Sequence, residues 1–296
     1  MTDTAVRTEG LTKDFGDLRA VDHLDLEVRR GEVFGYLGPN GAGKSTTIRM
    51  LLDFLRPTAG TAIVLGGSGG DTAIRRRIGY LPGDLEVDPS YTANDLLAFY
   101  GELRGGLDAR LVGSLVARFD LDPTRKVGDL STGNRRKVGI IQAFAHRPEL
   151  LVLDEPTSGL DPLLQQEFNA LVRETVAEGA TVFLSSHVLP EVEVLADRVA
   201  ILRHGVLVAV RALDELRAEA RQRIDLHVRG EVDPSRFAGV ENVVRAEGGE
   251  GVVHVVVEGS VDALLKAAAQ IEVLRIVTHD EDLEDTFLAY YREEGE

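Results

Sequence analysis

The chain has 296 residues, of which 44% are apolar and 28% charged, with a formal net charge of −16 and no cysteine. This is the balance of a globular chain with a sizeable core, and it excludes a disulfide framework, a thiolate metal site and, with no apolar run near the roughly 18 residues needed, a membrane span. The opening MTDTAVRTEG has neither the basic nor the apolar stretch of a signal peptide, so export is not expected, and the acidic balance opposes sequence-independent binding to nucleic acid, so no nucleic-acid partner is expected either.

EVFGYLG (32–38) is a short, nearly continuous apolar run, the pattern of a strand buried on both faces of a parallel sheet. GPNGAGKST (38–46) follows it and opens a predicted helix, which is the context that a phosphate-binding loop of pattern GxxxxGK[ST] requires. Its glycines are expected to let backbone N–H groups of residues 41–46 face inward around phosphates, where a side chain would obstruct them. Lys44 is then placed to reach the β- and γ-phosphates, and Ser45 to ligate Mg²⁺. The basic runs RRR (75–77) and RRK (135–137) read as solvated faces.

SYTANDLLAFYGELRG and LDARLVGSLVARFDL have helical spacing with no strong strand between them, so residues 84–146 are expected to form a helical subdomain inserted in an α/β domain. Within it, DLSTGNRRK (129–137) places a loop ending in Gly133 ahead of a basic helix, an anion-ready helix start far from the phosphate loop. LLVLDEP (150–156) then supplies Asp154 and Glu155 at the end of a buried strand. Adjacent strand residues point to opposite sides, so one carboxylate can hold the magnesium shell, a part given to Asp154, while Glu155 polarises a water for attack on the γ-phosphate. TVFLSS (181–186) is a third buried strand, and His187 after it stands where it can sense the γ-phosphate. In open parallel sheets ligands collect beyond the carboxyl ends of the strands, so these three ends are expected to converge.

LDELRAEARQ (213–222) reads as a helical connection. Beyond it, RIDLHVRG, a hairpin around Gly248 and Gly249, a helix capped by Ser260, and a last strand and helix predict a small α+β domain over 222–296. His227, His254 and His279 are scattered through it without metal-ligand spacing.

These motifs, in this order over residues 5–217, resemble the ATP-binding subunit of ABC transporters. GPNGAGKST corresponds to Walker A, from Gly38, Pro39, Asn40, Gly41, Ala42 and Gly43 through Lys44, Ser45 and Thr46. LSTGN is similar to the signature, LLVLDEP to Walker B, SGLD (158–161) to the D-loop, and SSH (185–187) to the switch histidine. The resemblance implies an α/β P-loop ATPase core over 1–217 with an antiparallel β subdomain and the inserted helical one. The C-terminal domain over 222–296 is expected to be accessory, stabilising packing or a dimer, with a regulatory, ligand-sensing role as the alternative. The resemblance also implies ATP with Mg²⁺, Phe15 stacked on adenine, and a head-to-tail homodimer. In that dimer Ser131, Gly133 and Asp161 of one copy complete the nucleotide site of the other, and the start of the signature helix is aimed at the partner's γ-phosphate.

Two departures stand out. Family members carry a glutamine after an aromatic-x-Pro sequence, and here YLPG puts Gly83 there, leaving Asp84 or water to complete the magnesium shell. The signature has Thr132 and Asn134 in place of Gly and Gln, with Ser131 and Gly133 intact. The expected function is an ATPase powering export of a drug, antibiotic or lipid through a separate integral-membrane permease, which docks around residues 84–104 and 124–129 at the cytoplasmic face of the membrane. The alternatives are a soluble relative acting on DNA repair or ribosomes, and a kinase or GTPase sharing only the phosphate loop.

Overall fold

Alternation of apolar and polar residues folds the start of the chain into a hairpin. Strands β1 (Thr4–Phe15) and β2 (Leu18–Arg29) pair antiparallel and bury Val6, Thr8, Leu11, Leu24, Leu26 and Val28, while Arg7, Glu9, Asp25 and Glu27 are exposed. β4 (Ala59–Val64) pairs on the other side of β1 and completes the antiparallel sheet β2-β1-β4. The computed structural model describes residues 3–219 and 221–280, in two compact units divided between residues 210 and 211.

The central sheet of the first unit has the order β5-β6-β7-β3-β8-β9, made of β3 (Val33–Leu37), β5 (Ile78–Leu81), β6 (Leu150–Asp154), β7 (Thr181–Ser186), β8 (Arg198–Arg203) and β9 (Val206–Ala212). β5, β6, β7, β3 and β8 are parallel, and every residue of β3, β6 and β7 is buried, as their continuous apolar runs imply. Phe34 and Tyr36 pack on Phe183 at centroid distances of 6.1 and 5.0 Å, joining a core that reaches Leu24 and Leu26 of β2 and Ile48 of helix α1 (Lys44–Leu51).

Helix α2 (Thr72–Arg75) precedes β5. Between β5 and β6 the chain is helical, as expected: α3 (Ala93–Arg104) starts on a capping box of Thr92 and Asp95, α4 (Ala109–Arg118) on Asp108, and α5 (Thr132–Phe144) on Ser131. Helices α6 (Pro162–Ala177) and α7 (Leu189–Glu193) follow β6 and β7.

The second unit begins with α8 (Leu213–Glu219) and an antiparallel sheet of order β11-β12-β10-β13: β10 (Arg221–Glu231), β11 (Val243–Gly248), β12 (Glu250–Glu258) and β13 (Val273–Asp280). Helix α9 (Asp262–Ala268) lies between β12 and β13 and adds Leu264 to a core of Leu226, Phe237, Val253 and Val255. Val261 rather than Ser260 holds the cap position of α9, although Ser260 Oγ still accepts from the Asp262 N–H at 3.3 Å. The last predicted helix lies outside the described residues.

The histidines of this unit are not all scattered. Pairing of β12 and β13 on either side of β10 brings His254 Nδ1 to 2.5 Å and His279 Nε2 to 3.0 Å from the Asp225 carboxylate, a convergence set by strand register and invisible in linear spacing. Among the described residues no group of three or more His, Cys, Asp or Glu side chains is placed to hold a metal ion.

His146, just after α5, is mostly buried with Nε2 against the Ile78 carbonyl at 3.1 Å. Burial, reinforced by the Arg104 charge, pushes its imidazole down to about 4 from 6.5. The folded chain thus binds this proton later than the unfolded chain as pH falls. Stability is complete above about pH 6.5 and declines toward pH 4, by on the order of 3 kcal/mol from this group. Urea unfolding across that window should show a shallower decline for His146→Gln, which stays neutral and keeps a donor for Ile78.

Candidate functional site

Because β6, β7 and β3 are neighbours in register, Asp154 lies opposite Ser185 and Leu37 opposite Ser186, and the three carboxyl ends form one edge. The phosphate loop leaves β3 there, with the Gly38 N–H donating to the Ser186 carbonyl at 3.3 Å. The loop turns through Gly41 and Gly43, at φ of 83° and 100°, into α1, whose first turn has no side-chain cap. Its leading N–H groups are therefore open to an anion. Asn40 and Ser45 are exposed, Ala42 is buried and Thr46 half-buried.

Gly43 meets a second requirement beside the expected one. A Cβ at this position would meet the Ala20 carbonyl oxygen of β2 at 2.4 Å, so the loop requires glycine in order to lie against the antiparallel sheet.

Lys44 is 5% exposed and donates to the carbonyls of Gly38 at 2.6 Å and Pro39 at 3.2 Å. Its Nζ is also 3.7 Å from Glu155 Oε1. Burial lowers the ammonium's pKa, and the negative charges of Glu155 and Asp154 oppose that shift. Glu155 Oε1 is in turn 3.0 Å from His187 Nδ1. Asp154 is buried at 4% exposure; its Oδ1 accepts from Ser185 Oγ at 2.5 Å, while Oδ2 faces the space beside Gly83, where a Cβ would stand 3.5 Å away.

The two carboxylates do diverge, but not through strand alternation. Glu155 lies past the strand in a left-handed conformation, φ 47°, and its N–H donates to the Ser185 carbonyl at 3.1 Å. That turn aims its side chain at Lys44 and His187 and leaves Asp154 behind in the sheet. Ser45 and Asp154 line one cleft of about 790 Å³ with Gly83 and Asp84. Hard oxygen donors on either side of that opening fit Mg²⁺.

Ser131, Gly133 and Asp161 lie on other elements. Ser131 Oγ accepts from the Asn134 N–H at 3.3 Å as the cap of α5, and the exposed hydroxyl keeps its proton for an outside acceptor. A Cβ on Gly133 would come 2.8 Å from the Gly159 carbonyl oxygen, so this glycine fits the chain's own SGLD turn. Asp161 caps α6 by accepting from the N–H groups of Leu163 and Leu164, each at 3.0 Å. Phe15 is half exposed at the end of β1 with the Lys13 ammonium 5.1 Å from its ring centre.

Arg136 and Lys137 overturn the reading of RRK as a solvated face: both are buried, and only Arg135 is exposed. Every recorded acceptor of Arg136 is a backbone carbonyl. Ser185, which orients Asp154, and Tyr36, whose hydroxyl donates to Thr47 at 3.0 Å, were also missed as site residues. Their roles depend on neighbours distant in sequence.

Residues 21–158 match the family described as ABC transporter. The chain is 34% identical over 299 residues to the bacitracin transport ATP-binding protein BcrA of Bacillus licheniformis, covering 96% of each chain. It belongs to the ABC transporter family. This ATP-binding subunit is also 41% identical over 254 residues to the daunorubicin/doxorubicin resistance ATP-binding protein DrrA of Streptomyces peucetius, covering 82% of this chain and 75% of that one. A solved ATP-binding subunit of an ABC transporter superposes with a TM-score of 0.67 at 29% identity over 72% of this chain and 92% of that one. The ABC subunit is accordingly an ATPase of P-loop fold, and among its described residues no helix is long and apolar enough to cross a membrane.

Removing the Ser185 hydroxyl strips Asp154 Oδ1 of its donor inside the sheet. Ser185→Ala should raise the Mg²⁺ concentration for half-maximal ATPase about tenfold, measured by titration at saturating ATP.

Proposed function

We propose that this chain hydrolyses ATP in a head-to-tail homodimer and thereby drives export through a separate integral-membrane permease, working at the cytoplasmic face of the membrane. The convergence of Lys44, Glu155 and His187 on one another, beside Asp154 and Ser45, carries this reading. Lys44, the N–H groups of α1 and the loop residues 38–46 bind the phosphates. Phe15 stacks on the adenine ring.

Ser45 and Asp154 would hold Mg²⁺, with Asp84 completing the shell beside Gly83. When bound there, Mg²⁺ would supply charge neutralisation at the β- and γ-phosphates. Without nucleotide, Glu155 Oε1 is shared between Lys44 and His187. Phosphates of ATP compete for both of these partners and free Glu155 to accept a proton from water as the water oxygen attacks phosphorus. The bond to the ADP oxygen then breaks, leaving ADP and phosphate. While Nδ1 of His187 donates to Glu155, Nε2 of the neutral ring is an acceptor, so His187 contacts the γ-phosphate either as imidazolium or after leaving Glu155.

The dimer is supported by the start of α5. Ser131 presents a free hydroxyl proton on a helix N-terminus, and the SGLD turn buttresses it from behind. Asp161 holds that turn to α6 and so lies at the same junction. For the permease, the supporting surface is the part of the cleft lined by Tyr100, Leu103 and Arg104 of α3 together with Phe54 and Arg75. Bacitracin transport and daunorubicin/doxorubicin resistance, named in the two relatives, support export over nucleic-acid machinery. The second unit is read as a packing or dimer-stabilising domain.

Glu155→Gln should keep ATP binding, lose turnover by a factor on the order of 10² or more, and accumulate as an ATP-bound dimer in size-exclusion chromatography. A chain that stays monomeric with ATP bound contradicts the sandwich. Asp84→Ala should raise the Mg²⁺ requirement of the ATPase; an unchanged rate and Mg²⁺ dependence would remove Asp84 from the shell.

A further inference from the structure

Arg136 is 4% exposed, and each N–H of its guanidinium meets a different main-chain carbonyl. Nε donates to Pro156 at 3.1 Å; Nη1 donates to Pro82 at 2.6 Å and Gly83 at 2.7 Å; Nη2 donates to Asp154 at 2.7 Å and also to Glu155. A guanidinium has five such donors and no acceptor, so the group is fully satisfied. Its desolvation is offset by these carbonyl dipoles and by the charges of Asp154, Asp84 and Glu155, which oppose the lowering that burial imposes.

The acceptors belong to two segments distant in sequence. One is the loop at Pro82 and Gly83, where the expected glutamine is missing. The other is the strand end from Asp154 to Pro156, whose three successive carbonyls turn toward the guanidinium where Glu155 adopts its left-handed conformation. Arg136 itself lies in the second turn of α5, the helix that begins at Ser131.

We propose that Arg136 is a positioning residue that binds α5, the Gly83 loop and the strand end carrying Glu155 into one body, so that contact of the α5 start with the nucleotide of a partner copy is transmitted to the catalytic carboxylate of the same chain. The inference rests on the head-to-tail ATPase reading above. The site that α5 completes is not the site that Glu155 serves, so the tie couples two nucleotides. Gly83 has no side chain to report on the metal shell, and its carbonyl is gripped from behind instead. The planar fork is required, because an ammonium has three donors in tetrahedral array and cannot address five carbonyls.

The test compares Arg136→Lys and Arg136→Gln with the native chain. Arg136→Lys should bind a non-hydrolysable ATP analogue within about twofold of native, while kcat falls tenfold to hundredfold, on the order expected for a misplaced catalytic group. The Hill coefficient for ATP should exceed one in the native chain and fall to one in both variants. Full rescue by Lys, or a parallel loss of affinity, kcat and Tm with the Hill coefficient retained, would overturn the inference. If the variants do not fold, hydrogen exchange on Glu155→Gln with Arg136 intact decides. ATP should raise amide protection at 82–84 and 154–156 together with 131–137, and protection confined to 131–137 would overturn it. Failure of Glu155→Gln to dimerise with ATP at all would instead remove the dimer reading, and this inference with it.

Discussion

Parallel pairing of β6, β7 and β3 in a single register is the constraint on which the site depends. It sets Asp154 beside Ser185 and Leu37 beside Ser186, so a carboxylate, a hydroxyl and the root of the phosphate loop share one edge without any of them being near another in sequence. Complete burial of these strands holds that edge in place, since a slip of one residue would exchange the two faces of an apolar core. The phosphate loop is then pressed from the other side by β2, whose Ala20 carbonyl lies where a Cβ of Gly43 would be. Two sheets of different kinds thus fix one short loop.

Within this frame, electrostatics supplies the tension of the site. Lys44 is buried and meets carbonyl dipoles and one carboxylate, a partial substitute for the phosphates it would otherwise face. Asp154 sits deeper and is oriented by Ser185, whereas Glu155 stands in reach of two partners, Lys44 and His187, that a triphosphate would claim. On the proposed ATPase reading, depth and competition, more than the identity of the two acidic residues, would separate a metal ligand from a base.

The buried strands and the helices between β5 and β6 were legible because continuous apolar runs and 3.6-residue spacing each report burial directly. The phosphate loop was legible because its chemistry requires a fixed local pattern. What escaped were relations set by tertiary neighbours. Arg136 reads as a solvated cation in RRK, since nothing local announces carbonyls from two distant segments. Gly43 and Gly133 carry the right residue for a partly different reason, the main chain of β2 and of Gly159. His254 and His279 meet Asp225 only through strand register, which composition does not encode.

The left-handed turn at Glu155 sets main-chain comfort against side-chain placement. Glutamate is poorly suited to that backbone region, which glycine enters freely and asparagine more readily than most, and hydrogen bonds at its own N–H and carbonyl hold it there. A glycine would relax the turn and leave Lys44 and His187 without the carboxylate they share. The strained conformation is thus what brings one carboxylate within reach of both partners.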